Sequence, residues 1–184
     1  MSRSFILSVG GCILCLGLNG CSSMVPENNA DSQYEDSQVQ GTIQNFKDAD
    51  PGIQVFLDSA YGYAVFPSIG AGAIGIGGAG GNGEVFQQGK LVGYCQMGQA
   101  NIGFQLGGQS FAEIVFFQNA AAMATFQSGQ TAFDARATAV AAASGAGTAA
   151  DYQDGVLVFT KPLGGLMFQA AIGGQHFSYS PLGS

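Results

Sequence analysis

The sequence predicts an α+β domain with strand in the majority. It is a mainly antiparallel, glycine-rich sheet with N-terminal helices and one short inserted helix. Three observations carry this. Apolar residues recur at helical spacing in the stretches before Pro67, and beyond it the dominant period is two. Glycine, at 30 of 184 residues, is about double the ~7 % of average proteins. Nearly half the chain (47 %) is hydrophobic and no G-X-Y period exists, so collagen and disorder are both excluded.

The first twenty residues read as an address. MSRSFILSVGGCILCLGLNGC opens on Arg3, continues with an apolar run from Phe5 to Leu18, and ends in Leu18-Asn19-Gly20-Cys21. That is the layout of a secretory signal, and the run is short of the ~18 residues that span a bilayer. Leu-Asn-Gly-Cys resembles the lipobox of bacterial lipoproteins, in which the cysteine is lipidated and becomes the first residue. The resemblance implies a protein of the bacterial cell envelope held in the membrane by lipidated Cys21. Ser22, where an inner-membrane retention signal would place Asp, points to the outer membrane, facing the periplasm. Each buried methylene contributes ~0.8 kcal/mol and stable anchoring takes at least two chains, which a diacylglyceryl group plus an N-acyl chain supplies. Cys12 and Cys15 leave with the signal and Cys21 is consumed by lipid. Only Cys95 remains, so the mature chain has no intrachain disulfide.

Residues 21–33 are polar, include Pro26, and read as a flexible tether. The domain is then expected over residues 34–184. Val39, Ile43 and Phe46 define the apolar face of a helix from Tyr34 to Lys47, which Gly41 interrupts. Asp50 is a good N-cap with Pro51 at the first position of a second helix, whose inward face is Ile53, Phe56, Leu57 and Ala60. Gly62 is placed to end that helix at its C′ position. Ala64-Val65-Phe66 starts a strand that Pro67 is expected to end.

Leu91 to Met97 and Ala100 to Gly108 alternate as strands, and Val85-Phe86, Gln87-Gln88-Gly89-Lys90, Leu91-Val92 reads as strand, turn, strand. FAEIVFF (111–117) is apolar on both faces except at Glu113, the pattern of an interior strand. Asn119 caps an alanine-rich helix to about Gln127. A strand from about Ala132 to Ala142 carries Asp134 and Arg136, and SGAGTAADYQDG is loop. Val156–Thr160, Leu166–Ile172 and His176–Tyr179 close the chain as strands.

The run from Gly70 to Gly83 contains G-x-G-x-x-G three times, starting at Gly70, Gly75 and Gly78. A dinucleotide site needs a helix opening on the last glycine, whose free N–H groups hold the phosphates, and an acidic residue ~20 positions on. Here the run leads into a strand pattern and no acid lies between Glu84 and Glu113. Glycine is expected instead as absent bulk. A strand from Ala71 to Ala79 would put Ile74 and Ile76 on one face and a nearly side-chain-free surface on the other, against which a helix or sheet can approach closely. Gly80-Gly81-Asn82-Gly83 reads as its turn.

Several blocks in order resemble the SYLF domain family. They are Gly62-Tyr63-Ala64-Val65-Phe66-Pro67, Gly75-Ile76-Gly77-Gly78, Gly83-Glu84-Val85-Phe86 and Gly89 to Tyr94. Ala100 to Gln109, Phe116-Phe117-Gln118-Asn119 with Phe126, Val158 to Met167, and Ile172-Gly173-Gly174 follow. The resemblance covers about residues 45 to 180 and implies non-catalytic binding of lipid or of a membrane surface. Eukaryotic members bind phosphoinositides through a basic amphipathic segment, and some relatives bind actin. This chain departs there: between Tyr34 and Tyr61, Glu35, Asp36, Asp48, Asp50 and Asp58 stand against Lys47. Phe46, Lys47, Phe56 and Leu57 of the entry helices are the candidate lipid-contacting residues, with the core as the alternative place for the apolar ones.

A net charge of −7 with five basic residues argues against nucleic acid as a partner. No cofactor and no metal is expected. His176 is the single histidine and reads as part of a closing strand; Gly108-Gln109-Ser110-Phe111-Ala112 only approximates a nucleophile elbow. Asp151 and Asp154 are a poor calcium site, and Cys95 reads as buried. No motif points to catalysis. The expected function is a lipid-anchored envelope protein whose domain binds a phospholipid or membrane; the alternative is a structural lipoprotein that binds another envelope protein.

Overall fold

The computed structural model describes residues 25–26, 28–74, 76–102, 107–129, 132–133, 139–141, 147–165 and 175–183. The signal, Cys21, Asp134, Arg136 and the expected strand Leu166–Ile172 lie outside these. Helix α1 is Asn29–Ala49, a turn Pro51–Ile53 follows, and α2 is Gln54–Ser59. The sheet is built from β1 (Gly62–Ile74), β2 (Ile76–Gln87), β3 (Lys90–Ile102), β4 (Gly107–Phe117), β5 (Ala132–Phe133), β6 (Ala139–Ala141), β7 (Val156–Gly165) and β8 (Gln175–Pro181), with α3 (Ala120–Gln127) after β4. The strand-rich α+β class is as the period of two predicts.

α1 begins inside the stretch read as tether. Asn28 is its N-cap, the side-chain oxygen accepting from the N–H groups of Ala30 (2.9 Å) and Asp31 (3.1 Å), so capping starts a turn for which the apolar spacing gives no signal. Asp50 caps as expected, accepting from the Gly52 N–H at 3.0 Å. It also accepts from the Gly147 N–H, which ties a distant loop to the entry helices. Gly62 does not end α2. It opens β1, and its reason is close approach, since a Cβ there would lie 2.7 Å from Met123 Sδ and from the Phe86 carbonyl.

Strand order is β5-β8-β3-β2-β1-β4-β7-β6, antiparallel throughout except for β6 beside β7. β4 lies between β1 and β7, the interior place its two apolar faces predict. Pro67 does not stop β1. The pairing with β4 shifts register between Phe66 and Ile69, and this bulge accommodates the missing N–H. Ile74 pairs with Ile76 and Gly72 with Gly78, so the Gly70–Gly83 run is two arms of a hairpin. The expected turn at Gly80–Gly83 is instead the middle of β2. The β2–β3 turn falls where expected, with Gln88 and Gly89 at φ 51° and 75°, the positive values a two-residue hairpin requires.

The sheet is strongly curled. β4 and β8 are four spacings apart, roughly 19 Å if flat, yet Gln175 Nε2 donates to Glu113 Oε2 at 3.2 Å. Phe66 on β1 and Phe177 on β8 have ring centroids 5.7 Å apart across three spacings. The edge strands β5 and β6 belong to one stretch of chain, and the six residue-to-residue steps from Phe133 to Ala139 span at most about 21 Å.

The concave interior is filled by Phe66, Ile69, Cys95, Met97, Phe111, Phe117, Val158 and Phe177, with Met123 and Phe126 of α3 packed among them. The convex face carries Tyr63, Val65, Phe86, Ile114, Phe116 and Phe159 against α1 and α2. Glycine permits the curl on the inside: a Cβ on Gly81 or Gly83 would collide with the β1 backbone at Ser68 or Val65. On the convex face a Cβ on Gly70 or Gly72 would meet open space; of the face expected to take a close neighbour, Ala71 and Ala79 pack against the interior cluster, and Gly75 lies outside the described residues.

A groove between the first helix and the convex sheet

Phe46 is 0 % exposed and Phe56 is buried with it in the core between the entry helices and the sheet. Phe56 touches the rings of Phe116, Tyr152 and Phe159 at 5.6–5.8 Å. Leu57 packs against the same cluster, half-buried. These apolar candidates for lipid contact are therefore core residues, because the i, i+3, i+4 face that would meet a membrane is the face that meets the sheet. Lys47 sits half-buried in the last turn of α1, where its charge complements the helix dipole.

The other sequence candidates are dispersed. His176 and Ser110 occupy one cross-strand row, His176–Gly98–Gly80–Gly70–Ser110, with three strands between them. The convex side of a curled sheet cannot bring them together. Cys95 is buried and free, and burial pushes its thiol well above the ordinary range.

What the fold does gather lies under the N-terminal half of α1. A groove of about 650 Å³ runs between Tyr34, Glu35, Gln38 and Val39 of the helix and the outer face of β1, β2 and β3. Its floor includes Gly80 and Gly98, opposed in register, and the Asn82–Gln96 pair, in which Gln96 Nε2 donates at 3.2 Å. Pro67 and Ser68 form one wall at the bulge. The size is that of a small-ligand site.

Glu84 closes one end of this groove. It is 1 % exposed, and among the described residues neither carboxylate oxygen accepts a hydrogen bond. The Asp36 carboxyl lies against it and Glu35 is close by. Burial first, then the charge and contact of Asp36 and the charge of Glu35, push the Glu84 pKa up to about 8. Tyr94 stands beside this group, and its own pKa is raised by burial above all.

Compared with known families and with curated proteins, the chain matches none. The site is therefore read from its own chemistry. Inside the curl a second buried carboxyl, Glu113, is 0 % exposed with Gln175 as partner, and burial raises its pKa to about 7.

Sequence reasoning missed Glu84. Its only local signal is an acid in a glycine-rich strand, followed by two apolar residues. Glu35 and Asp36, noted in the sequence only as acids that set this chain apart from a basic segment, meet Glu84 from 48 or more positions away through the packing of α1. No group of three or more His, Cys, Asp and Glu among the described residues is placed to hold a metal, and no helix among them is long and apolar enough to cross a membrane.

Proposed function

We propose that this chain is a lipid-anchored protein of the bacterial envelope, held by Cys21, whose SYLF-like domain binds a lipid non-catalytically in the groove beneath α1. The observation that carries the reading is the position of the groove. It opens at the second and third turns of α1, and the eight residue-to-residue steps from Cys21 to Asn29 span at most about 28 Å. An anchor at Cys21 therefore keeps the groove mouth near the bilayer surface. Tyr34, 66 % exposed at that mouth, is the residue type favoured where apolar and wet regions meet. The ordered SYLF-like blocks support the same function class, and the acidic entry helices argue for a headgroup other than a phosphoinositide.

The alternative, docking of another envelope protein, draws on the convex glycines Gly70, Gly72 and Gly98, where an added Cβ would meet no atom within 4 Å. Two measurements separate these readings. Cys21→Ser in cells is expected to move the protein out of the membrane fraction; retention there would overturn the anchor. The mature chain carrying Cys21→Ser is expected to float with vesicles. Failure to float with any neutral or anionic composition, together with a protein cross-linked in cells, would replace lipid binding by the docking role.

A further inference from the structure

We infer that the groove under α1 recognises a primary ammonium group, carried by an aminolipid headgroup or by a free amine, with Glu84 as its buried counter-charge. This rests on the reading of the groove as the ligand site and adds the chemistry of the ligand.

The argument begins with what Glu84 lacks. Both oxygens are acceptors without a donor among the described residues, and the group pressed against them, Asp36, is another acceptor. Glu35 of α1 faces the same space, and Tyr94 stands on the β3 side. No Lys, Arg or His is among the residues that line the groove. A buried carboxyl in such company is satisfied either by a proton shared with Asp36 or by a cation with N–H donors from outside.

An ammonium suits the second role. It has three donors and no acceptor, and Glu84 of β2 has the Asp36 carboxyl against it and the Glu35 charge close by. Beyond them the groove offers Gly80 and Gly98 as flat backbone, Val39 and Pro67 as apolar surface, and the Asn82–Gln96 pair as polar contacts. That arrangement fits an ammonium carried on a larger body, and the 650 Å³ leaves room for it.

Binding has a proton balance. The ammonium enters charged, the Glu84 carboxyl gives up its proton to solvent, and the ion pair replaces the shared proton. Proton release at pH 7 on titration with amine is therefore part of the claim.

The test uses the mature chain with Cys21→Ser, and ethanolamine and putrescine as soluble probes in calorimetry in two buffers of different ionisation enthalpy. Saturable binding with proton release is expected. Glu84→Gln keeps the shape and removes the charge, and should weaken binding about tenfold or more. Gly98→Val fills the floor from a position whose Cβ meets open space, so it should fold normally and also lose binding. Asp151→Asn, exposed in a loop after the helical turn Gly147–Ala149, should bind as the unaltered chain does.

Flotation on phosphatidylcholine vesicles with and without phosphatidylethanolamine separates the two sources of the amine. Amine binding without vesicle binding would leave this inference standing and remove the lipid reading. Vesicle binding indifferent to phosphatidylethanolamine and to Glu84→Gln would overturn the inference and keep lipid binding. No response to either soluble amine, or equal binding by a folded Glu84→Gln chain, would also overturn it.

Discussion

Glu113 shows most directly what burial does to a residue. It reads in the sequence as the exception in FAEIVFF, and the fold places it inside the curl with Gln175 as its partner and Phe66 and Thr160 opposite it on the neighbouring strands. Burial raises its pKa from 4.5 to about 7, and the Gln175 hydrogen bond opposes that rise. The native chain thus holds a proton that the unfolded chain releases above pH 4.5. Its contribution to stability is complete below pH 4.5 and is lost as pH rises to about 7, by an amount on the order of 3 kcal/mol. Glu84 acts with the same sign up to about pH 8. Thermal melting is expected to show Tm falling from pH 5 to pH 8, with a shallower fall in Glu113→Gln. An equal slope in that variant would show that Glu113 ionises as freely in the fold as out of it.

At the scale of elements, caps and turns were the most legible features and the interiors of glycine-rich strands the least. Asn119 starts α3 as expected, its Oδ1 accepting from the Ala122 N–H at 3.0 Å. Asn119→Ala should cost about 1 kcal/mol, read as a lower denaturant midpoint at unchanged m-value. A change in m would mean that α3 had left the domain altogether. Gln88-Gly89 was readable because the tight turn demands positive φ, which the sequence displays as glycine. The Gly70–Gly83 hairpin was not. Its many glycines tolerate a turn at several places, so local preference cannot choose one, and the pairing of β1 with β2 sets Ile74 against Ile76 and Gly72 against Gly78. Pro67 misled for a related reason, since a bulge lets a long strand carry a proline that a short one would not.

For the whole molecule, the curl is the decision from which the sites follow. It brings Phe177 of β8 against Phe66 of β1 and Phe126 of α3, at 5.7 and 5.1 Å between ring centroids. Phe177→Ala should cost about 3–5 kcal/mol and lower Tm by roughly 10 °C, because it opens a cavity where three elements meet. A loss below 1 kcal/mol would mean that the curl is not held by this contact. The same curvature gives the sheet a convex outer face, across which α1 lies and under which the groove forms.

The amino-acid sequence by itself determined the strand-rich class, the inserted helix with its cap, the β2–β3 turn and the interior place of β4. Those features depend on periods, caps and φ preferences that act within about ten residues. The tertiary structure alone decided that β1 lies between β2 and β4, that the sheet curls, and that Glu84 sits beneath Asp36 and Glu35. These depend on long-range pairing and burial, and the charge of a carboxyl is set by what packs against it. The groove is accordingly a property of how α1 packs on β1 and β2 beside β3, and no single stretch of the chain contains it.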